Sequence, residues 1–180
     1  MAVFDAYKGA FPHAQLTRSQ EGVLEVHQIG QDADNRVVIL TGAGEAFIDR
    51  IDPEGFDFFS PRGYDKIYRE GKKVLSNLLD IPVPVIAALN GPTTDSEYVL
   101  LADIVIAAPD TVFQDKPHFA FGIVPGDGIH SLWPEVIGSI RGRTFVLTQQ
   151  ITDAKEAKVL GVISEIVPRD RLLDRNRWLF

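Results

Sequence analysis

The segment from Gln114 to His130, QDKPHFAFGIVPGDGIH, sets two of the chain's four histidines close to two aspartates and two glycine-flanked turns. Pro117 fixes its own φ and drives Lys116 toward extended conformations, so His118 follows a stiff stretch of backbone. VPGDG is a strong turn signal, and Gly126 and Gly128 permit conformations that other residues resist. Such a turn can aim Asp127 back at a neighbouring side chain. A carboxylate bonded to one imidazole nitrogen fixes the tautomer and stabilises the cation formed when the other nitrogen takes a proton. His118 and Asp127 would then form a general-base dyad with no side-chain nucleophile, and water would be the nucleophile. The plainer alternative is that Asp127 only caps its turn. His130 follows the same turn and starts the next helix, where a structural or supporting role is expected. His13 and His27 lie in polar or strand contexts and carry no signal. A metal site from His118, Asp127 and His130 would lack any familiar ligand spacing such as HExxH, so no metal is expected.

The elements that must position this chemistry read as α/β. The 180 residues suffice for one domain with a sizeable core, and 45% hydrophobic against 24% charged residues argues against disorder. The net charge of −7 disfavours nucleic acid and anionic membrane surfaces as partners. No apolar run reaches the roughly 18 residues that span a bilayer, and no signal peptide shows, so a cytoplasmic protein is expected. The absence of cysteine excludes disulfides, thiolate zinc sites and cysteine nucleophiles. GVLEV (22–26), RVVILT (36–41), PVIAAL (84–89) and DIVIAA (103–108) read as strands. Their near-continuous hydrophobicity implies cover on both faces. A helix is expected from Tyr64 to Leu79, with Ile67, Val74, Leu75, Leu78 and Leu79 on its apolar face. A second covers Gly142 to Gln149. A third starts at Asp153, with Glu156 completing a capping box and Gly161 ending it, and VISEIV forms a last short strand. Between GVLEVH and QIGQDADN there is no room for a helix to begin, so a segment is expected to be missing near residues 27–28.

Taken in order, LTGAGEAF (40–47), VPVIAALNGP (83–92), ADIVIAAPDTVFQ (102–114), GIVPGDG (122–128) and TDAKEAKVLGVISEIVP (152–168) resemble the crotonase superfamily. The resemblance spans residues 22 to 170 and implies a spiral of ββα turns. It also implies a helical C-terminal extension, largely absent from this chain after about residue 170, and assembly as a homotrimer or hexamer. The CoA-thioester enzymes of that superfamily follow NG with a glycine-rich helix start whose backbone N–H groups supply half of an oxyanion hole. This chain has NGPTTDSEYVLLAD there, with no glycine after Gly91. Where they carry a small-residue run after GAGxAF it has IDRID (48–52). Where the hydratases have Glu it has His118, and where they have a small residue it has Asp127.

These departures resemble the β-diketone hydrolases of the 6-oxocamphor hydrolase type, whose His and Asp dyad matches His118 and Asp127. Asp95 or Ser96 stands where that branch has a further active-site His. Glu97 matches an acidic residue of the same loop, or else caps the following helix. Asp95 and Glu97 are therefore expected to bind substrate. The resemblance implies retro-Claisen hydrolysis of a carbon–carbon bond in a cyclic 1,3-diketone, with no CoA and no cofactor. GAGEAF is not a dinucleotide fingerprint, since an aromatic replaces the last glycine. The expected partner is a small hydrophobic diketone, in a pocket to which PEGFDFFSP (53–61) contributes, although half or more of those phenylalanines would be ordinary core. The competing readings are an acyl-CoA hydratase or isomerase and a non-catalytic relative that only binds or assembles.

Overall fold

The computed structural model describes residues 16–18, 23–26, 36–48 and 57–177. Its frame is a six-stranded sheet formed by β1 (Leu16–Arg18), β2 (Val23–Val26), β3 (Val37–Thr41), β4 (Val85–Leu89), β5 (Ile104–Ala107) and β8 (Glu165–Ile166). The strands lie side by side in that order. β1 runs antiparallel to β2 and every later pairing is parallel, with Ile39 opposite Ile86 and Ala87 opposite Val105. All five residues of β4 are buried, as the unbroken apolar run requires of a strand covered on both faces.

Alternation divides the strand residues between the two faces of the sheet, where they enter three apolar clusters, one of them Val38, Leu40 and Val85 with Leu78. Val37, Ile39, Ile86, Ala88 and Ile106 face one side and pack with Val167 and Leu172. Ala87, Leu89, Val105 and Ala107 face the other and meet Phe113, Trp133 and Phe145. There Trp133 stacks on Phe145 at 3.8 Å between ring centroids, and Phe113 meets its edge at 5.7 Å. No helix among the described residues is long and apolar enough to cross a membrane.

The first helix, α1 (Pro61–Leu79), begins three residues before the expected Tyr64. Ser60 caps it by accepting from the Gly63 N–H, and Pro61 occupies the first helical turn. Its inner stripe is narrower than expected. Leu78 is buried, whereas Val74 and Leu79 are 39% and 65% exposed. The helix expected after Glu97 is the single turn α2 (Glu97–Leu100), and the one expected at His130 is α3 (Ile129–Ile137). After α3, Gly138 at φ 90° breaks the chain before α4 (Ser139–Thr148), the helix expected from Gly142. Asp153 caps α5 (Ala154–Val159) by accepting from the Glu156 N–H, in line with the capping-box reading. A last helix, α6, covers Leu172–Arg177. The strands β6 (Val112–Phe113) and β7 (Thr152–Asp153) pair antiparallel. His13, His27, residues 27–28 and most of IDRID lie outside the described residues.

Two close approaches lock the loops above the sheet. Asn90 accepts from the Gly42 N–H at 3.0 Å and donates to the Gly42 and Gly44 carbonyls at 3.2 and 2.5 Å. Beside it, Gly91 lies so near the same loop that a Cβ would stand 1.9 Å from the Glu45 carbonyl oxygen. Backbone bridges Ile48–Thr93 and Thr93–Phe113 continue this junction as a short parallel ladder. Because the obstructing atom at Gly91 belongs to the backbone, Gly91→Ala is expected to destabilise the fold by about 1–3 kcal/mol, measured by denaturant unfolding.

Candidate active site

The ladder through Ile48, Thr93 and Phe113 positions three acidic side chains. Asp95 follows Thr93 by two residues and Asp115 follows Phe113 by two, and both are buried. Glu97 opens α2 and is 2% exposed. Next to it, Ser96 accepts a hydrogen bond from the Trp133 indole at 2.8 Å, which ties this loop to α3. His118 precedes a 3-10 turn, Phe119–Phe121, that ends in left-handed Gly122.

The His118 imidazole lies between two carboxylates. Its Nδ1 is 2.8 Å from Asp115 Oδ1, and its Nε2 is 2.9 Å from Asp127 Oδ2. The VPGDG turn delivers Asp127 against His118, with the other carboxylate oxygen accepting from the Ile129 N–H at 3.3 Å. The dyad has a third member. Asp115, fully buried, holds Nδ1, and the partly exposed Asp127 holds Nε2. The sequence reading gave the orienting role to Asp127 alone. The signal for Asp115 was its parity with Phe113 in the run VFQD. Both side chains point into the core when that run is extended.

The charges are unequal in number. Burial opposes a charge on His118, but the hydrogen bonds to Asp115 and Asp127 outweigh it and push its pKa up to about 10. Burial also disfavours the Asp127 anion, yet the hydrogen bond and charge of His118 hold its carboxyl below the usual range. Asp95 is pushed up to about 6, first by burial and then by Asp127. Burial, followed by Asp95 and Asp127, pushes Glu97 well above an ordinary glutamate. Carboxylate oxygens of Asp95, Glu97 and Asp127 lie within 4.8 Å of one another, the one such acidic set among the described residues, close enough to surround one cation. His118, Asp127 and His130 form no such set among these residues, and His130 is exposed.

The structure thus brings His118, Asp127, Asp95 and Glu97 into one cluster. Residues 53–56 lie outside the described residues, and Phe59 is 99% exposed, neither core nor lining. Apolar surface next to His118 comes instead from its own loop, where Phe121 is 77% and Val124 71% exposed. Two surface crevices, of about 530 Å³ along α1 and about 350 Å³ between α4 and α5, contain none of the clustered residues.

A family model for enoyl-CoA hydratase/isomerase matches residues 15–180. Among curated proteins, the alpha subunit of a Vibrio cholerae fatty acid oxidation complex is 34% identical over 108 residues, 58% of this chain and 15% of that one. A probable enoyl-CoA hydratase of Rhizobium meliloti is 30% identical over 90% of this chain and 62% of its own length. The chain therefore spans less than two thirds of these relatives. Among solved structures, a β-diketone hydrolase from the cyanobacterium Anabaena, bound to (S)-3-oxocyclohexyl acetic acid, is 43% identical. Its TM-score is 0.88, over 98% of this chain and 79% of that one. An enoyl-CoA hydratase from Bacillus anthracis, 23% identical with a TM-score of 0.80 over 92% of this chain and 74% of that one, shares the fold.

A histidine whose folded pKa exceeds its unfolded value of 6.5 adds stability that is fully present below pH 6.5 and lost as pH rises through about 10. His118→Gln, which strands two carboxylates, is expected to cost about 3–5 kcal/mol at pH 7. The deficit should shrink above pH 10 in denaturant unfolding. In Asp115→Asn, the His118 imidazole should titrate at lower pH by NMR.

Proposed function

The chain belongs to the enoyl-CoA hydratase/isomerase family, the crotonases, and within it we propose that it is a hydrolase cleaving a carbon–carbon bond of a 1,3-diketone by a retro-Claisen reaction. The observation that carries this reading is the contact of His118 Nε2 with Asp127 Oδ2 at 2.9 Å, backed on the far nitrogen by Asp115. That arrangement suits proton transfer to and from water. Support also comes from the 43% identity to a β-diketone hydrolase over nearly the whole chain. The exposed Phe121 and Val124 beside His118 suit a hydrophobic substrate.

The steps follow from the groups present. Asp115 is fully buried and Asp127 is partly exposed, so water meets the imidazole at its Asp127 end. That water displaces Asp127 Oδ2 from Nε2, and neutral His118 takes its proton there. The hydroxide adds to one carbonyl carbon, and collapse of the adduct breaks the bond to the central carbon. The electron pair passes into the second carbonyl, giving a carboxylic acid and an enolate. The His118 imidazolium then returns its proton to the enolate carbon, which restores the base and closes the balance. The neighbouring carboxylates make the neutral imidazole a minority form below pH 10, but a correspondingly strong base.

The acyl-CoA reading draws on the hydratase names of the curated relatives. Against it stands the loop after Gly91. The N–H groups of Thr93 and Thr94 donate to Val112 and Ile48 within the ladder, and the buried side chains of Asp95, Ser96 and Glu97 follow directly. The N–H groups of Thr93 and Thr94 are thereby unavailable to an oxyanion hole.

Cyclic 1,3-diketones should be opened to keto acids, followed by loss of diketone absorbance and by mass spectrometry of the product. His118→Ala should lower kcat by about 10²–10⁴-fold, and Asp127→Asn should also reduce it strongly. Since the base is the unprotonated ring, kcat/KM should climb with pH toward about 10. Turnover of crotonyl-CoA with none of any diketone would favour the hydratase reading instead.

A further inference from the structure

Glu97 is 2% exposed, yet its Oε2 atom has no hydrogen-bond partner. A buried carboxylate oxygen left unsatisfied is costly unless something completes it. Glu97 belongs to the set in which carboxylate oxygens of Asp95, Glu97 and Asp127 lie within 4.8 Å of one another. The groups acting on this set are His118, held at Asp127, and Asp115 behind it. Lys116, His130 and Glu135 on the adjoining segments are exposed. One imidazolium cannot neutralise Asp115, Asp127, Asp95 and Glu97 together, so protons or a cation must make up the difference.

We propose that Asp95 and Glu97 form an acid pair that keeps a proton at neutral pH and offers it as a hydrogen bond to the carbonyl oxygen on which the enolate charge develops. The inference rests on the diketone-hydrolase reading and deepens it. The raised pKa values of both residues agree with it. The pair stands where glycine-rich backbone would otherwise supply donors, and a carboxylic acid held neutral by burial can do the same work. The proton is not consumed. The C–C bonding pair moves onto the enolate, its oxygen accepts the hydrogen bond from the acid pair, and the carbon takes its proton from His118.

Two measurements test this separately. The first is an infrared difference spectrum at neutral pH between the unmodified protein and Glu97→Gln or Asp95→Asn. The carbonyl stretch of a protonated carboxyl should be present in the former and diminished in the variants. The second is kinetics on a cyclic 1,3-diketone. Glu97→Ala should lower kcat by about 10²–10³-fold with a smaller change in KM. Glu97→Gln, which keeps an N–H donor, should recover most of the rate, with thermal melts confirming that each variant folds. Absence of the protonated-carboxyl band, or unchanged kcat in Glu97→Ala, would overturn the pair. So would a Glu97-dependent rise in melting temperature on adding Ca²⁺ or Mn²⁺, since a cation would then hold the place of the proton. If the band is present and the unmodified protein cleaves no diketone, the hydrolase reading fails and the shared proton stands.

Discussion

Charge neutrality around His118 is the constraint on which this site is built. Asp115, Asp127, Asp95 and Glu97 converge on one imidazole, and three of the four carboxylates are buried. Two of them sit at the ring nitrogens, 2.8 and 2.9 Å away, and make a protonated ring favourable despite its burial. The other two have no cation of their own among the described residues and are pushed toward their neutral acids. Within one cluster, environment alone thus holds the Asp127 carboxylate ionised and pushes Asp95 and Glu97 toward their neutral acids.

Holding such a cluster together takes a rigid frame, because separating like charges by another ångström would relieve them. The parallel sheet supplies the floor. Above it, the Asn90 side chain clasps the loop at Gly42 and Gly44, and Gly91 lets the two backbones touch. The bridges through Ile48, Thr93 and Phe113 fix the registers of Asp95 and Asp115 together. The Trp133 indole pins Ser96, between Asp95 and Glu97, to the aromatic core. Local unfolding of one loop would thus disturb several carboxylates at once.

Much of this frame is legible in the sequence. The strands β2 to β5 follow from apolar runs bounded by turns, and the cap at Asp153 from its spacing to Glu156. His118 and Asp127 stand out because proline and glycine stiffen and bend the chain around them. The rest depends on long-range pairing. β6 and β7 have two residues each and exist only because Phe113 meets Thr152 across the fold. Asp115 lies three residues before His118 in the run QDKPH, but its contact with the ring depends on the long-range ladder at Phe113. The misplacement of Val74 and Leu79 has a similar cause. Helical periodicity marks an apolar side, but the width of the buried stripe is set by what packs against it. At α1 that stripe is narrow.

The turn that carries Asp127 rests on that same helix. Gly128, at φ 112°, leaves room where a Cβ would come within 2.7 Å of Leu75, and Gly126 lies against Tyr64 and Tyr68. Residues some fifty positions apart in the chain thus share one van der Waals surface. Over evolutionary time, drift in the helix and drift in the turn are not independent. A bulkier residue at either place has to be answered by a smaller one at the other, so the lineage is expected to accept such changes in pairs.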